Sequence, residues 1–353
     1  MTAFVRTVVG DIDPGALGVT YAHEHLVIDD GRSVQLEPDF ELSDVDAMAT
    51  EVGAAVELGL GAVIDAMPCD CGRSATKLAE LSRRTGLHIV APTGLHHDRF
   101  YGPAHWSHRL DVDQLADLFV ADIEDGIDRY DYSGPIVERT PHRAGIIKVG
   151  GSDGALSERD KRLFDAAAAA HRRTGAPILT HCEKGTAGIE QARRLADGGV
   201  DLEHVALSHV DKVVDRGYHR ELAATGVALE YDGSFRWGDA PNGTLQLLEW
   251  MTEDDLLGHV VLGMDAARQG YYAVYGGRPG LTWLLDGFTQ QIEERGLGAE
   301  VRRRLFVDNP ARIFALTSTD RGTTHDRRSP HQRRRVTRPA VLVRVRDRRR
   351  RAW

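Results

Sequence analysis

The sequence has little that would tie it to a membrane, an export route or a disulfide framework. Its longest apolar runs fall well short of the roughly 20 residues that cross a bilayer. The first ten residues carry one cation, Arg6, and no apolar stretch leading to a small-residue cleavage site. No secretory signal is read there, and a cytoplasmic protein is expected. Only three cysteines occur, Cys69, Cys71 and Cys182. An odd set cannot pair fully within one chain, and a Cys-x-Cys spacing fits neither a redox Cys-x-x-Cys nor a zinc knuckle, so free thiols are expected. No Gly-rich phosphate loop follows a candidate strand, which disfavours an open nucleotide-binding sheet.

What is present is an ordinary globular composition, 42% hydrophobic and 27% charged, over 353 residues. That length suits one α/β barrel with insertions. The formal charge of −9 hides a split: residues 317–353 hold 13 Arg against 3 Asp, a net of +10, which leaves −9 − 10 = −19 on residues 1–316. An acidic body is the wrong sign for a phosphate backbone and argues against a nucleic-acid partner for the folded part. The basic segment, with Val341–Val345 its only short apolar run, reads as a disordered tail beginning at Thr317.

From about residue 18 to 316, short β-branched runs alternate with stretches of helical period. Eight strands are predicted: 19–24, 62–66, 88–93, 145–149, 177–181, 205–209, 227–231 and 260–264. Helices are predicted over 45–58, 74–84, 112–130, 157–173, 186–196, 217–225, 244–251 and 281–294, several followed by a glycine such as Gly59, Gly86, Gly175 or Gly226. Eight βα units predict a closed (β/α)8 TIM barrel over residues 1–316, with catalytic groups at the C-terminal ends of the strands.

Ligand-type residues recur at that end. Alternate residues of a strand share a face, so His23 and His25 can present two imidazoles to one point. His181, His209 and Asp265 each close an apolar run. Singly each could be a turn or cap; together, at one end of separate strands, they fit a divalent ion such as zinc. Lys148 follows Gly145-Ile146-Ile147, where an isolated ammonium is costly. It either pairs with a barrel carboxylate or, as a neutral amine, takes up CO2 to give a carbamate. The carbamate would add the negative charge that four neutral imidazoles and one carboxylate lack for two dications.

With these positions in view the chain resembles the phosphotriesterase-like branch of the amidohydrolase superfamily, from Gly18 to Leu316. The resemblance is carried by Thr20-Tyr21-Ala22-His23-Glu24-His25-Leu26, Thr93-Gly94, Ile147-Lys148-Val149, Thr180-His181-Cys182, Ser208-His209-Val210-Asp211, Gly263-Met264-Asp265 and Asp308-Asn309-Pro310-Ala311-Arg312. It implies that His23, His25 and Asp265 hold the more buried ion, that His181 and His209 hold the more exposed one, and that carboxylated Lys148 bridges them. The ions would be zinc, with manganese, cobalt and iron as alternatives. A bridging hydroxide would attack, with Asp265 as proton acceptor. Arg268 and Tyr271, beyond the eighth strand, and Arg236, beyond the seventh, are the substrate-binding candidates by similarity to sugar-phosphate lactonases. The lysine expected among them is not evident. The expected activity is that of a lactonase or esterase, including phosphorylated sugar lactones, with phosphotriester hydrolysis as a side reaction and homodimers common in the family.

Three neighbouring activities use the same site: hydrolysis of acyl-homoserine lactones, of organophosphates and of N-acyl amines. An acyl chain could sit against Phe100-Tyr101-Gly102-Pro103-Ala104-His105-Trp106. His96, His97, His105 and His108 are expected on the loop surface. The non-enzymatic alternative is a binding protein whose basic tail recruits nucleic acid, and the intact ligand set speaks against it.

Overall fold

The computed structural model describes residues Ala3–Thr317; the basic tail read above lies outside the described residues, apart from Thr317 itself. The eight predicted strands are present. They run Val19–Glu24, Leu60–Asp65, His88–Val90 continuing into Pro92–Leu95, Ile146–Gly151, Ile178–Cys182, Val205–Ser208, Ala228–Tyr231 and Val260–Leu262, and neighbours pair in parallel in chain order. The third strand is broken at Ala91: its first half pairs with the second strand and its second half with the fourth. Pro92, which has no N–H to give to a ladder, starts the second half. Past the eighth strand the N–H groups of Met264 and Asp265 donate to the His23 carbonyl at 3.2 and 2.9 Å, which joins the last strand to the first.

The helices follow the predicted amphipathic stretches, and their ends show why. Asp111 with Gln114 and Ser157 with Asp160 form capping boxes at the starts of Val112–Glu124 and Glu158–Thr174. Gly86 and Gly175 close their helices in the left-handed conformation. Two helix ends differ from the sequence reading by several residues. The helix predicted over 112–130 stops at Glu124, and the chain folds back so that the Ile127 N–H donates to the His142 carbonyl at 2.7 Å. Buried ion pairs at the end of this helix hold that return: the Arg73 guanidinium lies 2.9 Å from Asp122 and 2.8 Å from Asp131, and Arg139 lies 2.6 Å from Asp122. The helix predicted from Leu281 begins only at Gly287, with residues 281–286 in turns.

Sequence reading missed the N-terminal hairpin, Ala3–Thr7 with Gly10–Ile12, and the pairing of Ala3 with Thr317 that brings the chain back to it. Val5 of the hairpin, Leu17 and Phe314 pack with Ala62, Ala206 and Val261 of the strands into an apolar plug inside the ring. A second, larger core lies between strands and helices. No helix among the described residues is long and apolar enough to cross a membrane.

Candidate metal centre

Above the apolar plug the same strands end in polar groups around a cavity of about 260 Å³. The first strand brings His23 and His25, with ring centroids 5.4 Å apart. Asp265, held at φ 49 just past the eighth strand, places Oδ1 3.2 Å from His25 Nε2 and 3.5 Å from His23 Nε2. His181 is the penultimate residue of the fifth strand, and His209, at φ 68 directly after the sixth, turns its Nε2 to within 2.9 Å of His181 Nδ1. His23 and His209 connect the two halves, their rings 5.0 Å apart. Among the described residues two clusters have donor atoms close enough to share an ion, His23 with His25 and Asp265, and His23 with His209, Glu230 and Asp232.

Lys148 is buried in the fourth strand. Its Nζ has two long hydrogen bonds, 3.4 Å to the Thr180 carbonyl and 3.3 Å to Ser208 Oγ. No carboxylate among the described residues forms an ion pair with it, so the salt-bridge alternative is not what the fold provides. Burial pushes its ammonium down to about 8, against the pull of Glu230 and Asp265. Such an amine is partly neutral near physiological pH, the form that reacts with CO2. The strand beside it is built for close approach: a Cβ on Gly94 would lie 1.9 Å from the Lys148 carbonyl.

Carboxylates from neighbouring elements engage the outward nitrogen of three of the four imidazoles. Glu230 Oε2 lies 3.2 Å from His23 Nδ1, Asp232 Oδ2 lies 2.6 Å from His209 Nδ1, and Glu183 Oε2 lies 2.8 Å from His181 Nε2. A carboxylate beside one ring nitrogen draws the proton there and leaves a lone pair on the other. His181 Nδ1 and His209 Nε2 therefore face each other at 2.9 Å as two acceptors, an arrangement that a cation between them would relieve. Burial and the neighbouring His209 push the His181 imidazole down to about 3, and burial with Lys148 nearby holds His23 well below its usual value. Burial resists ionisation of Asp265, yet the hydrogen bond from His25 and the adjacent His209 hold its carboxyl well below the usual range. Neutral imidazoles beside an ionised carboxylate are the forms that bind a divalent ion. Four buried atoms at the centre, His25 Nδ1, His209 Nδ1, Glu230 Oε1 and Asp232 Oδ2, have no hydrogen-bond partner. Two of these atoms, His209 Nδ1 and Asp232 Oδ2, face each other at 2.6 Å as an ion-pair contact. The other two, His25 Nδ1 and Glu230 Oε1, have no partner, which is rare in a protein core, and the imidazole and carboxylate donor set fits divalent metal.

The three substrate-binding candidates gather on one wall. The Arg236 guanidinium donates to the Asp265 carbonyl at 2.7 Å and approaches its Oδ2 at 3.3 Å, while stacking over Tyr271 at 5.4 Å. Arg268 is ion-paired with Glu37 and lies over the Phe40 ring at 4.3 Å. Tyr271 meets Phe235 edge-on at 5.1 Å.

Several residues at the site were not singled out from sequence. Glu230 and Asp232 flank Tyr231 at the end of the seventh strand, the same alternate-residue signal that marked His23 and His25. Glu183 follows His181 by two. Lys212, three residues after His209, lines the cavity and supplies a lysine where the candidate set had only arginine and tyrosine. His96 is not a surface residue: it lines the cavity with its ring 5.0 Å from that of His181. His105 is likewise turned inward, onto Asp70 at 2.9 Å.

A parallel α/β ring with imidazoles, carboxylates and a buried lysine at the C-terminal mouth defines a barrel hydrolase of the amidohydrolase type. The profile described as the phosphotriesterase family matches residues 3–314. The phospho-furanose lactonase of Mycoplasmopsis synoviae is 32% identical over 324 residues, covering 89% of this chain and 92% of that protein. The solved lactonase of Listeria monocytogenes superposes with a TM-score of 0.81 at 29% identity, covering 89% of this chain and 100% of the other. The phosphotriesterase homology protein of Escherichia coli, solved with phosphate in its active site, superposes with a TM-score of 0.77 at 30% identity, covering 85% and 99%. The chain belongs to the phosphotriesterase family.

Proposed function

We propose that residues 1–316 form a hydrolase of lactones bearing an anionic group, with phosphorylated sugar lactones as the preferred class and phosphotriester hydrolysis as a slower side activity. The observation that carries this reading is the convergence of imidazole lone pairs and the Asp265 carboxylate on a cavity that also holds Arg99, Lys212, Arg236 and Arg268. His23, His25 and Asp265 would hold one divalent ion, His181 and His209 a second, and carboxylated Lys148 would lie between them. Two divalent ions held there, zinc in our reading, would supply Lewis-acid chemistry, lowering the pKa of bound water towards about 7 and polarising the ester oxygen.

The rest falls to the chain's own side chains. Asp265 takes a proton from the attacking water on a carboxylate oxygen and returns it to the departing ring oxygen. The water oxygen bonds to the carbonyl carbon, the ring C–O bond breaks, and the product is a hydroxy acid. Arg236 keeps Asp265 in place through its carbonyl and Oδ2. Lys212, Arg268 and Tyr271 receive the anionic group, where charged donors make the stronger hydrogen bonds. Phe40, Phe100 and Met67 line the remaining wall and limit water. The names of the Mycoplasmopsis and Listeria relatives support lactone chemistry, and the phosphate in the Escherichia coli relative supports an anion site.

The test is a substrate panel with metal analysis on the purified chain. About two divalent ions per chain and a kcat/KM highest for phosphorylated furanose lactones are expected. Hydrolysis of N-acyl amines with no lactone turned over, or full activity without metal, would overturn the reading.

A further inference from the structure

His96 stands directly after the third strand, and contacts to both its backbone and its ring restrain it. Its N–H donates to Tyr101 Oη at 2.7 Å, Tyr101 Oη donates to the Cys69 carbonyl at 2.9 Å, and the His96 carbonyl accepts from Arg159 at 3.1 Å. The ring is held between Phe100, at 4.6 Å, and His181, at 5.0 Å. The N–H of His97 donates to His96 Nδ1, which makes that nitrogen the acceptor and leaves the hydrogen on Nε2. Among the described residues the hydrogen bond of the His96 ring is the one at Nδ1, and the ring lines the cavity, which leaves Nε2 available to it. His96 is outside the clusters able to share an ion. A fixed, neutral donor beside the His181 half of the centre is what a developing oxyanion requires, since its orientation is set before the reaction begins.

Resting on the lactonase reading above, we propose that His96 is a further catalytic residue, its Nε2–H donating to the substrate carbonyl oxygen as that oxygen takes on negative charge. The hydrogen stays on His96 throughout; the protons that move are those handled by Asp265. Arg159 and Tyr101, which hold the His96 backbone, are positioning residues for it.

The test compares three variants of the metal-loaded full chain on a series of lactones and aryl esters. Glutamine places an amide N–H near the Nε2 position, asparagine near Nδ1, and phenylalanine keeps the shape with no donor. For His96→Phe a kcat loss of about 10²-fold is expected, the usual size for one oxyanion donor, with unchanged metal content and the same loss across leaving groups. His96→Gln should recover at least about tenfold over His96→Asn, on the same ground that a correctly placed donor carries the effect. Equal rates for Gln and Asn, an unchanged His96→Phe, or a defect growing with leaving-group pKa would each overturn the assignment. Wild-type chain inactive on every lactone and ester would instead overturn the function itself, so the two failures are distinguishable.

Discussion

The two ends of the barrel are made of the same strands and behave as opposites. At the closed end Ala62, Ala206 and Val261 meet Phe314 and Leu17 in a plug of fully buried apolar side chains. At the open end the fourth, sixth and seventh strands and the residues just past them bury Glu230, Asp232, His209 and Lys148, and several polar atoms there have no partner. Burying an unsatisfied polar group costs free energy that burying an alanine does not. The plug therefore stabilises the ring, and the mouth draws on that stability to hold charges and lone pairs where a ligand, not the protein, satisfies them.

Substitutions can break that contrast. The largest effect is expected from Lys148→Ala, which should lose metal and rate together, by at least about 10²-fold in kcat/KM as for removal of a principal electrostatic group, with partial rescue by a short carboxylic acid. A variant that keeps both metal and rate would refute the carbamate. Phe314→Ala, at the plug, should cost about 3–5 kcal/mol of stability in denaturant unfolding while the rate per folded molecule stays the same. A change in KM there would mean that plug and mouth are not separate.

Asp232→Asn sharpens the comparison from the other side. It removes the charge that sets His209, so metal affinity measured by calorimetry should fall about 10- to 100-fold, with stability of the metal-free chain little changed or raised. Unaltered metal affinity would show that the carboxylate does not orient the imidazole. The smallest effect is expected from Arg268→Ala, because its guanidinium already shares charge with Glu37. KM for phosphorylated lactones should rise by about tenfold, near 1.4 kcal/mol, and much less for neutral ones. Equal changes for both would count against an anion pocket at that wall.

Much of the fold was legible because period and punctuation agree along the chain. Buried parallel strands read as short apolar runs, helices as amphipathic stretches, and Ser157 or Gly175 mark where they begin and end. The hairpin at Ala3–Ile12 was not legible, since its partner Leu316–Thr317 lies some 300 residues away and short strands leave a weak pattern. Nor was the early end of the helix at Glu124, where Arg73 from another βα unit captures Asp122. At the site, His-x-His was noticed and Glu-x-Asp at Glu230 and Asp232 was not, because carboxylates at strand ends more often cap turns than serve an interior. His96 was read as a surface residue because it falls on a long loop past a strand, whereas Tyr101 and Phe100 fold that loop inward.

The order of apolar runs along the chain was enough to determine eight strands in a ring and the placement of His23, His25, Lys148, His181, His209 and Asp265 at one rim, because side-chain direction within a strand is set locally. Which nitrogen of His23, His181 and His209 faces the cavity was decided only by the tertiary structure. That choice depends on Glu230, Asp232 and Glu183 arriving from the seventh strand and the fifth loop, and a proton settles on the side where a carboxylate stands.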